Sequence, residues 1–255
     1  MDSIDAMFEG EKINVTEKRS ALHTALRNFK ANDLTNLYKI NKRLLVRFKD
    51  LSKFCNQIRT GQKKSGSGSK FTDVVNTGIG GSELGPKLVT AALSEYHNGP
   101  KIHFVSNIDP SDILKIIENL DPNKTLFIIS SKSFTTTETI NNAKTALKWV
   151  CEILGSNALK NFVAVCSAKE KALDFGILKE NIFEFDEWVG GRFSVWGPIG
   201  LPVMLSIGTD QFKNFLEGAS QIDNHFKNEE ISYNIPIILA LIGFWHGSVW
   251  EYSSS

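Results

Sequence analysis

Between residues 73 and 185 the chain switches repeatedly between two hydrophobic periods. Short apolar runs occur at Asp73–Asn76, Ile102–Val105, Leu126–Ile129, Phe162–Val165 and Ile182–Phe185, and each of the first four is followed by a segment of helical period. Those segments are Leu84–Leu93, Ile113–Leu120, Thr136–Leu154 and Lys169–Phe175. Strands that alternate with helices build βαβ units, and βαβ units build a parallel sheet buried on both faces. The expected fold class is therefore α/β, a three-layer doubly wound, flavodoxin-like five-stranded parallel sheet with flanking N- and C-terminal helices. In such sheets ligands bind beyond the carboxyl ends of the strands.

The flanks read differently. Leu22, Leu26 and Phe29 recur at helical spacing within Thr16–Phe29, and a longer stripe (Leu37, Ile40, Leu44, Leu45, Phe48, Leu51, Phe54) predicts a helix over Leu34–Ile58. A small, flexible polar segment, Gly61–Ser69, then punctuates the chain. This divides it into a helical segment 1–64, an α/β domain 65–189 and a second helical segment 190–255. In the last, Ser194–Gly208 predicts a buried helix interrupted by Pro198 and Pro202. An amphipathic helix follows, carrying Phe212, Phe215, Leu216, Ala219, Ile222 and Phe226, and then an apolar helix ending near Trp250.

Composition narrows the function classes. A net charge of +1 over 255 residues offers no basic footprint for nucleic acid or for an anionic membrane surface. The most apolar run, Ile235–Trp245, is far below the ~20 residues that span a bilayer, so it reads as a buried helix. Met1–Gly10 is poor in apolar residues and holds three acids, unlike a signal peptide. Cys55, Cys151 and Cys166 are odd in number and widely spaced, fitting buried thiols in a reducing compartment rather than disulfides or a metal site. A cytoplasmic protein with no metal is expected.

Two loops at expected strand ends carry the chemistry. Asn76–Lys87, NTGIGGSELGPK, holds Gly78, Gly80, Gly81 and Gly85 with Ser82 among them. Glycines allow a sharp turn and close backbone approach, and the helix that follows offers unpaired N–H groups. The dinucleotide fingerprint fails because position 83 is Glu, and the P-loop fails because Gly85 is followed by Pro86. The residues alone leave a structural turn and an anion-holding turn equally open. Ser130–Thr139 says more, with seven hydroxyl side chains and Lys132 in ten residues. Thr135 and Glu138 fit a capping box, which accounts for one or two hydroxyls. The surplus, with one lysine at a helix start, suits a phosphate monoester. Arg192, behind Gly190 and Gly191 in an aromatic setting, is either a stacked structural arginine or a cation facing negative charge on a substrate. The five histidines are scattered, and Glu83 and Glu251 show no special setting.

Gly10–Glu17, Leu22–Arg27, Gly78–Pro86, Ser131–Thr139 and Val189–Ser194, in this order and spacing, resemble the glucose-6-phosphate isomerase family over essentially the whole chain. The resemblance implies a sugar-isomerase (SIS) domain, two of which make up a chain of the family. It also implies interconversion of glucose 6-phosphate and fructose 6-phosphate without metal or organic cofactor, and a homodimer. Position by position it makes Gly81 and Ser82 glycine-loop contacts to substrate, and Ser131, Lys132, Ser133 and Thr136 the sugar-phosphate pocket. Arg192 becomes the cation beside the enediolate oxygens, and Glu138 the carboxylate that orients a ring-opening histidine. Ser133 stands where the family usually has Thr, Glu83 where it usually has Asp, and Pro198 is unusual after Gly197.

The family's glutamate, histidine and lysine for proton transfer match nothing in this sequence, so the resemblance implies a chain that stops before its catalytic glutamate and second SIS domain. Two readings follow: a glucose-6-phosphate isomerase of little activity by itself, or a non-catalytic sugar-phosphate-binding SIS module. The N-terminal segment and the Gly190–Ser194 motif favour the first. A nucleotide-binding α/β domain is the weakest reading, since both fingerprints fail.

Overall fold

The computed structural model describes residues 2–28 and 37–249, with the side chains of residues 2, 248 and 249 left aside. Its centre is a five-stranded, all-parallel sheet in the order β2-β1-β3-β4-β5. The strands are β1 (Asp73–Thr77), β2 (Lys101–Val105), β3 (Thr125–Ser130), β4 (Phe162–Cys166) and β5 (Ile182–Glu184). All five expected strands are present, each within two residues of its expected end.

The period of two along each strand divides the core into two layers. Val74, Leu126, Ile128, Val163 and Val165 face one side. Val75, Phe127, Ile129, Ala164 and Cys166 face the other. The second layer is closed by α4 (Pro110–Ile117), α5 (Thr137–Leu154) and α6 (Lys169–Asp174), which contribute Ile113, Ala143, Ala146 and Ala172. The first layer is closed by α2 (Tyr38–Thr60), α7 (Leu201–Ile207) and α8 (Thr209–Asn228), through Leu51, Phe54, Ile58, Val203, Met204 and Phe212. Val89 and Leu93, from and just after α3 (Leu84–Ala92), pack against that same layer. Residues from both flanks of the sheet thus share one core with it.

Several expectations are corrected. Thr16–Phe29 is not a helix. Asn14 and Arg19 exchange backbone hydrogen bonds in an antiparallel bridge, and Lys18 takes φ +51°, which no right-handed helix accepts. Only a short 3-10 turn, Leu22–Leu26, follows, and it buries Leu22 and Leu26 as the spacing required. The first helix is instead α1 (Asp2–Glu9). Phe29, Leu34, Trp250 and Glu251 lie outside the described residues. Ser194–Gly208 is buried as expected but is not one helix. Pro198 opens the 3-10 turn Pro198–Gly200, and only α7 is α-helical. A proline has no N–H and so starts a helical turn more readily than it continues one. Cys55 and Cys166 are buried, but Cys151 is exposed, because the α5 period that turns Val150 inward turns its neighbour out.

The largest correction concerns α9 (Ile235–Val249). It is exposed, with Leu239, Leu241, Phe244 and Trp245 all open to solvent and Phe244 77% accessible. Its start is well fixed: Asn234 is buried and donates to the Phe226 carbonyl at 2.9 Å, and the Ile235 N–H reaches His225 Nε2 at 3.0 Å. Beyond that corner the helix is apolar on every side, and α8 covers too little of it. On α8 itself Phe212 and Leu216 are buried, but Ile222 is exposed. No helix among the described residues is long and apolar enough to cross a membrane.

Candidate functional site

The strand order reverses direction between β1 and β3, so the crevice of the sheet opens beyond Thr77 and Ser130. Both polar loops start there. Asn76, fully buried in β1, ties them together: its Nδ2 donates to the Ser82 carbonyl at 3.0 Å and its Oδ1 accepts from the Ser130 hydroxyl at 2.7 Å. A buried amide with both ends satisfied holds the glycine loop in register with the next one.

The glycine loop is a 3-10 turn, Gly80–Ser82, entered with Gly80 at φ +59°. Gly81 faces the backbone of Gly191, where an added Cβ would collide with the Gly191 carbonyl group. Ser194 seals this approach by donating to the Gly191 carbonyl at 2.6 Å, with the Gly81 carbonyl at 3.4 Å. Arg192, in the 3-10 turn Gly191–Trp196, is thereby carried to the glycine loop, exposed and without a hydrogen bond or ion pair to any described residue. Glu83 does have a setting, contrary to expectation. It is buried behind the loop and accepts from Lys87 Nζ at 3.0 Å.

The second loop is bent by Phe134, a non-glycine residue at φ +52°. Its ring is buried against Phe175, edge to face at 5.9 Å, and this burial offsets the roughly 1–2 kcal/mol cost of the left-handed conformation. With Phe134 turned in, Ser133 and Thr135 are turned out, and their hydroxyls lie 2.7 Å apart. The Ser131 and Thr136 hydroxyls lie 3.0 Å apart beneath them. The expected capping box is absent. The N-cap of α5 is Thr136, not Thr135, and no side chain caps the helix because the Thr136 hydroxyl is turned to Ser131 instead. Glu138 sits in the first turn of α5, half-buried.

Lys132 reaches across to the segment after β5, donating to the carbonyls of Glu187 and of Val189, the latter at 3.2 Å. Burial, then the neighbouring Arg19, hold its ammonium below the usual lysine range, against the Glu187 carboxylate. Arg19 and His23 are site neighbours that sequence alone did not single out. His23 stacks on Phe193, centroids 4.1 Å apart, and burial, then Arg27, push its pKa down to about 4. Their only sequence signal was membership of the Gly10–Glu17 and Leu22–Arg27 neighbourhood. Among the described residues no group of three or more His, Cys, Asp or Glu could hold a metal ion.

The structure therefore brings Gly81, Ser82 and Arg192 to one wall of the crevice. It brings Ser131, Lys132, Ser133, Thr136 and Glu138 to the loop and helix start beyond β3. Hydroxyls, uncapped helix N–H groups and one ammonium are the donors that a phosphate monoester takes.

The phosphoglucose isomerase family profile matches residues 1–255. A glucose-6-phosphate isomerase of Bartonella bacilliformis is 52% identical over 98% of this chain and 46% of its own length. One from Mesorhizobium japonicum is 46% identical over 97% of this chain and 46% of its own length. The crystal structure of a glucose-6-phosphate isomerase from Chlamydia trachomatis superposes with a TM-score of 0.81 at 29% identity, covering 96% of this chain and 47% of that one. The chain thus spans about half the length of the curated relatives it matches. With a profile that runs from its first residue to its last, the chain belongs to the phosphoglucose isomerase family.

Proposed function

We propose that this chain forms the phosphate-holding part of a glucose-6-phosphate isomerase, which interconverts glucose 6-phosphate and fructose 6-phosphate in glycolysis and gluconeogenesis. The observation that carries the reading is the start of α5: an eighteen-residue helix with no side-chain cap, preceded by a loop that carries Ser131, Lys132, Ser133 and Thr136. The helix N–H groups and hydroxyls take the phosphate oxygens, and Lys132 neutralises them. Gly81 and Ser82 bring backbone against the sugar, and Arg192 faces the oxygens that become negative in the enediolate.

Moving a proton between C2 and C1 takes a base that removes it and returns it, screened from water. None of the site residues described above is placed as that base. Glu138, in a helix first turn, is suited to orienting a histidine supplied from elsewhere. The working enzyme is a homodimer in the cytoplasm, built from this part and the half of the relatives' length that the chain does not span. The intact loops without a base favour, as the second reading, a sugar-phosphate-binding module.

Titrating fructose 6-phosphate into the chain by calorimetry tests the binding. Lys132→Ala should weaken it by about 1.5–3 kcal/mol, the range of a charge-assisted hydrogen bond. Affinity unchanged by that substitution would overturn the phosphate assignment. In a coupled isomerase assay the chain by itself should turn over at least ~10²-fold more slowly than a full-length relative. Activity should return on adding the uncovered part of that relative as a separate polypeptide. Near-normal turnover by the chain alone would sink the claim that the base lies outside it.

A further inference from the structure

Two cations converge on one neutral oxygen at the edge of the site. Arg19 Nη1 and Lys132 Nζ both donate to the Glu187 carbonyl. A carbonyl oxygen has two lone pairs and can accept both, but it carries no charge to offset their repulsion. The two side chains differ in freedom. The Arg19 backbone is pinned by its bridge to Asn14, and its Nη2 is paired with the Glu17 carboxylate. The guanidinium is thus a fork held at both tips. Lys132 is a point charge on a flexible stem, half-buried and bound, among the described residues, to the Glu187 and Val189 carbonyls. An arriving phosphate dianion attracts the ammonium more strongly than a carbonyl does, and it relieves the repulsion between the cations.

We propose that Arg19 is a positioning residue for Lys132: it keeps the Glu187 carbonyl bonded when the lysine ammonium leaves that oxygen for the phosphate of a bound sugar. Without Arg19 the repulsion that favours release is gone, Lys132 rests more firmly on the exposed Glu187 carbonyl, and part of the binding free energy is lost to freeing it. The N-terminal segment would then belong to the substrate site through this hand-over, without touching the substrate. The inference rests on the phosphate reading of Lys132.

A double-mutant cycle on the full chain, read by calorimetry with fructose 6-phosphate and with inorganic phosphate, tests it. Arg19→Met should weaken binding about fivefold while Lys132 is present and less than twofold in a Lys132→Ala background. Arg19→Lys keeps a charge and one donor for the carbonyl, and should bind within about twofold of the unmodified chain. Equal losses in both backgrounds would mean that Arg19 acts on the anion directly or on the fold generally, and would overturn the proposal. So would wild-type affinity in Arg19→Met, or a loss in Arg19→Lys as deep as in Arg19→Met. If Arg19→Met does not fold, the cycle is run with Arg19→Lys, where a deeper loss that persists without Lys132 overturns the proposal. Unchanged affinity in Lys132→Ala alone would instead strike the phosphate reading itself, and this inference with it.

Discussion

Gly81→Ala should cost about 3 kcal/mol of folding stability and lower fructose 6-phosphate affinity by roughly tenfold to a hundredfold. The reason is contact with backbone rather than side chain. A Cβ at residue 81 runs into the carbonyl group of Gly191, which cannot rotate away as a flexible side-chain end could. The turns Gly80–Ser82 and Gly191–Trp196 must part, and the Ser194 hydroxyl that spans the Gly81 and Gly191 carbonyls loses one of them. Arg192 rides on the second turn, so its separation from the glycine loop moves the cation away from the proposed sugar site. Gly80→Ala is the control. It has φ +59° but open space where the Cβ would go, so only the left-handed strain applies, roughly 1 kcal/mol, with binding little changed. Chemical unfolding and calorimetry on both variants decide the matter. Equal behaviour of the two would show that close approach of the turns does not matter.

That contact also marks where the sequence stopped being legible. The strands were readable because runs such as Leu126–Ile129 and Phe162–Val165 are apolar and short, and the alternation with helices left one economical fold class. Both site loops were readable because they fall at strand ends and carry more glycines or hydroxyls than a turn needs. What was not readable is how distant segments meet. Lys132 and Glu187 are 55 positions apart, and nothing near either one specifies the hydrogen bond between them. Glu83 has no local signal for its burial, which comes from the turn folding over it. At Thr16–Phe29 the apolar spacing was satisfied by a 3-10 turn, because a backbone bridge and a left-handed Lys18 used up the residues before it. For α9 the apolar composition is plain, but burial needs a partner surface, and among the described residues α8 is the main element beside it.

Replacing Arg27 should remove about 3 kcal/mol of stability at pH 7, and the loss should shrink on acidification. Arg27 follows the Leu22–Leu26 turn and grips Asp223 of α8 with both arms, Nε to Oδ2 at 2.6 Å and Nη2 to Oδ1 at 2.5 Å. Its guanidinium also lies 5.0 Å from the Trp196 ring centroid, and Trp196 stacks on Phe215 at 4.6 Å. One side chain thus joins the N-terminal segment, α8 and the turn that carries Arg192. Arg27→Met keeps the stem and leaves the Asp223 carboxylate without its counter-ion, the costly half of breaking a mostly buried pair. In the intact pair, burial already raises the Asp223 pKa against the lowering by Arg27's hydrogen bond and charge, so without Arg27 it rises further. A carboxyl whose folded pKa lies above its unfolded value of 3.8 lets the folded state hold a proton that the unfolded state has released. The stability of Arg27→Met relative to the unmodified chain therefore recovers as pH falls from 7 toward 4. His23 titrates over part of that range with the opposite sign, since its folded value of about 4 lies below 6.5 and its contribution is lost as pH falls. The comparison is best made in a His23→Phe background, which keeps the stack on Phe193. Arg27→Met/Asp223→Leu should regain most of the stability at neutral pH and lose the pH dependence. Urea unfolding followed by tryptophan fluorescence reads both effects. A deficit that stays constant from pH 7 to 5, or that the second substitution fails to relieve, would show that Arg27 acts through its packing on Trp196 rather than through Asp223.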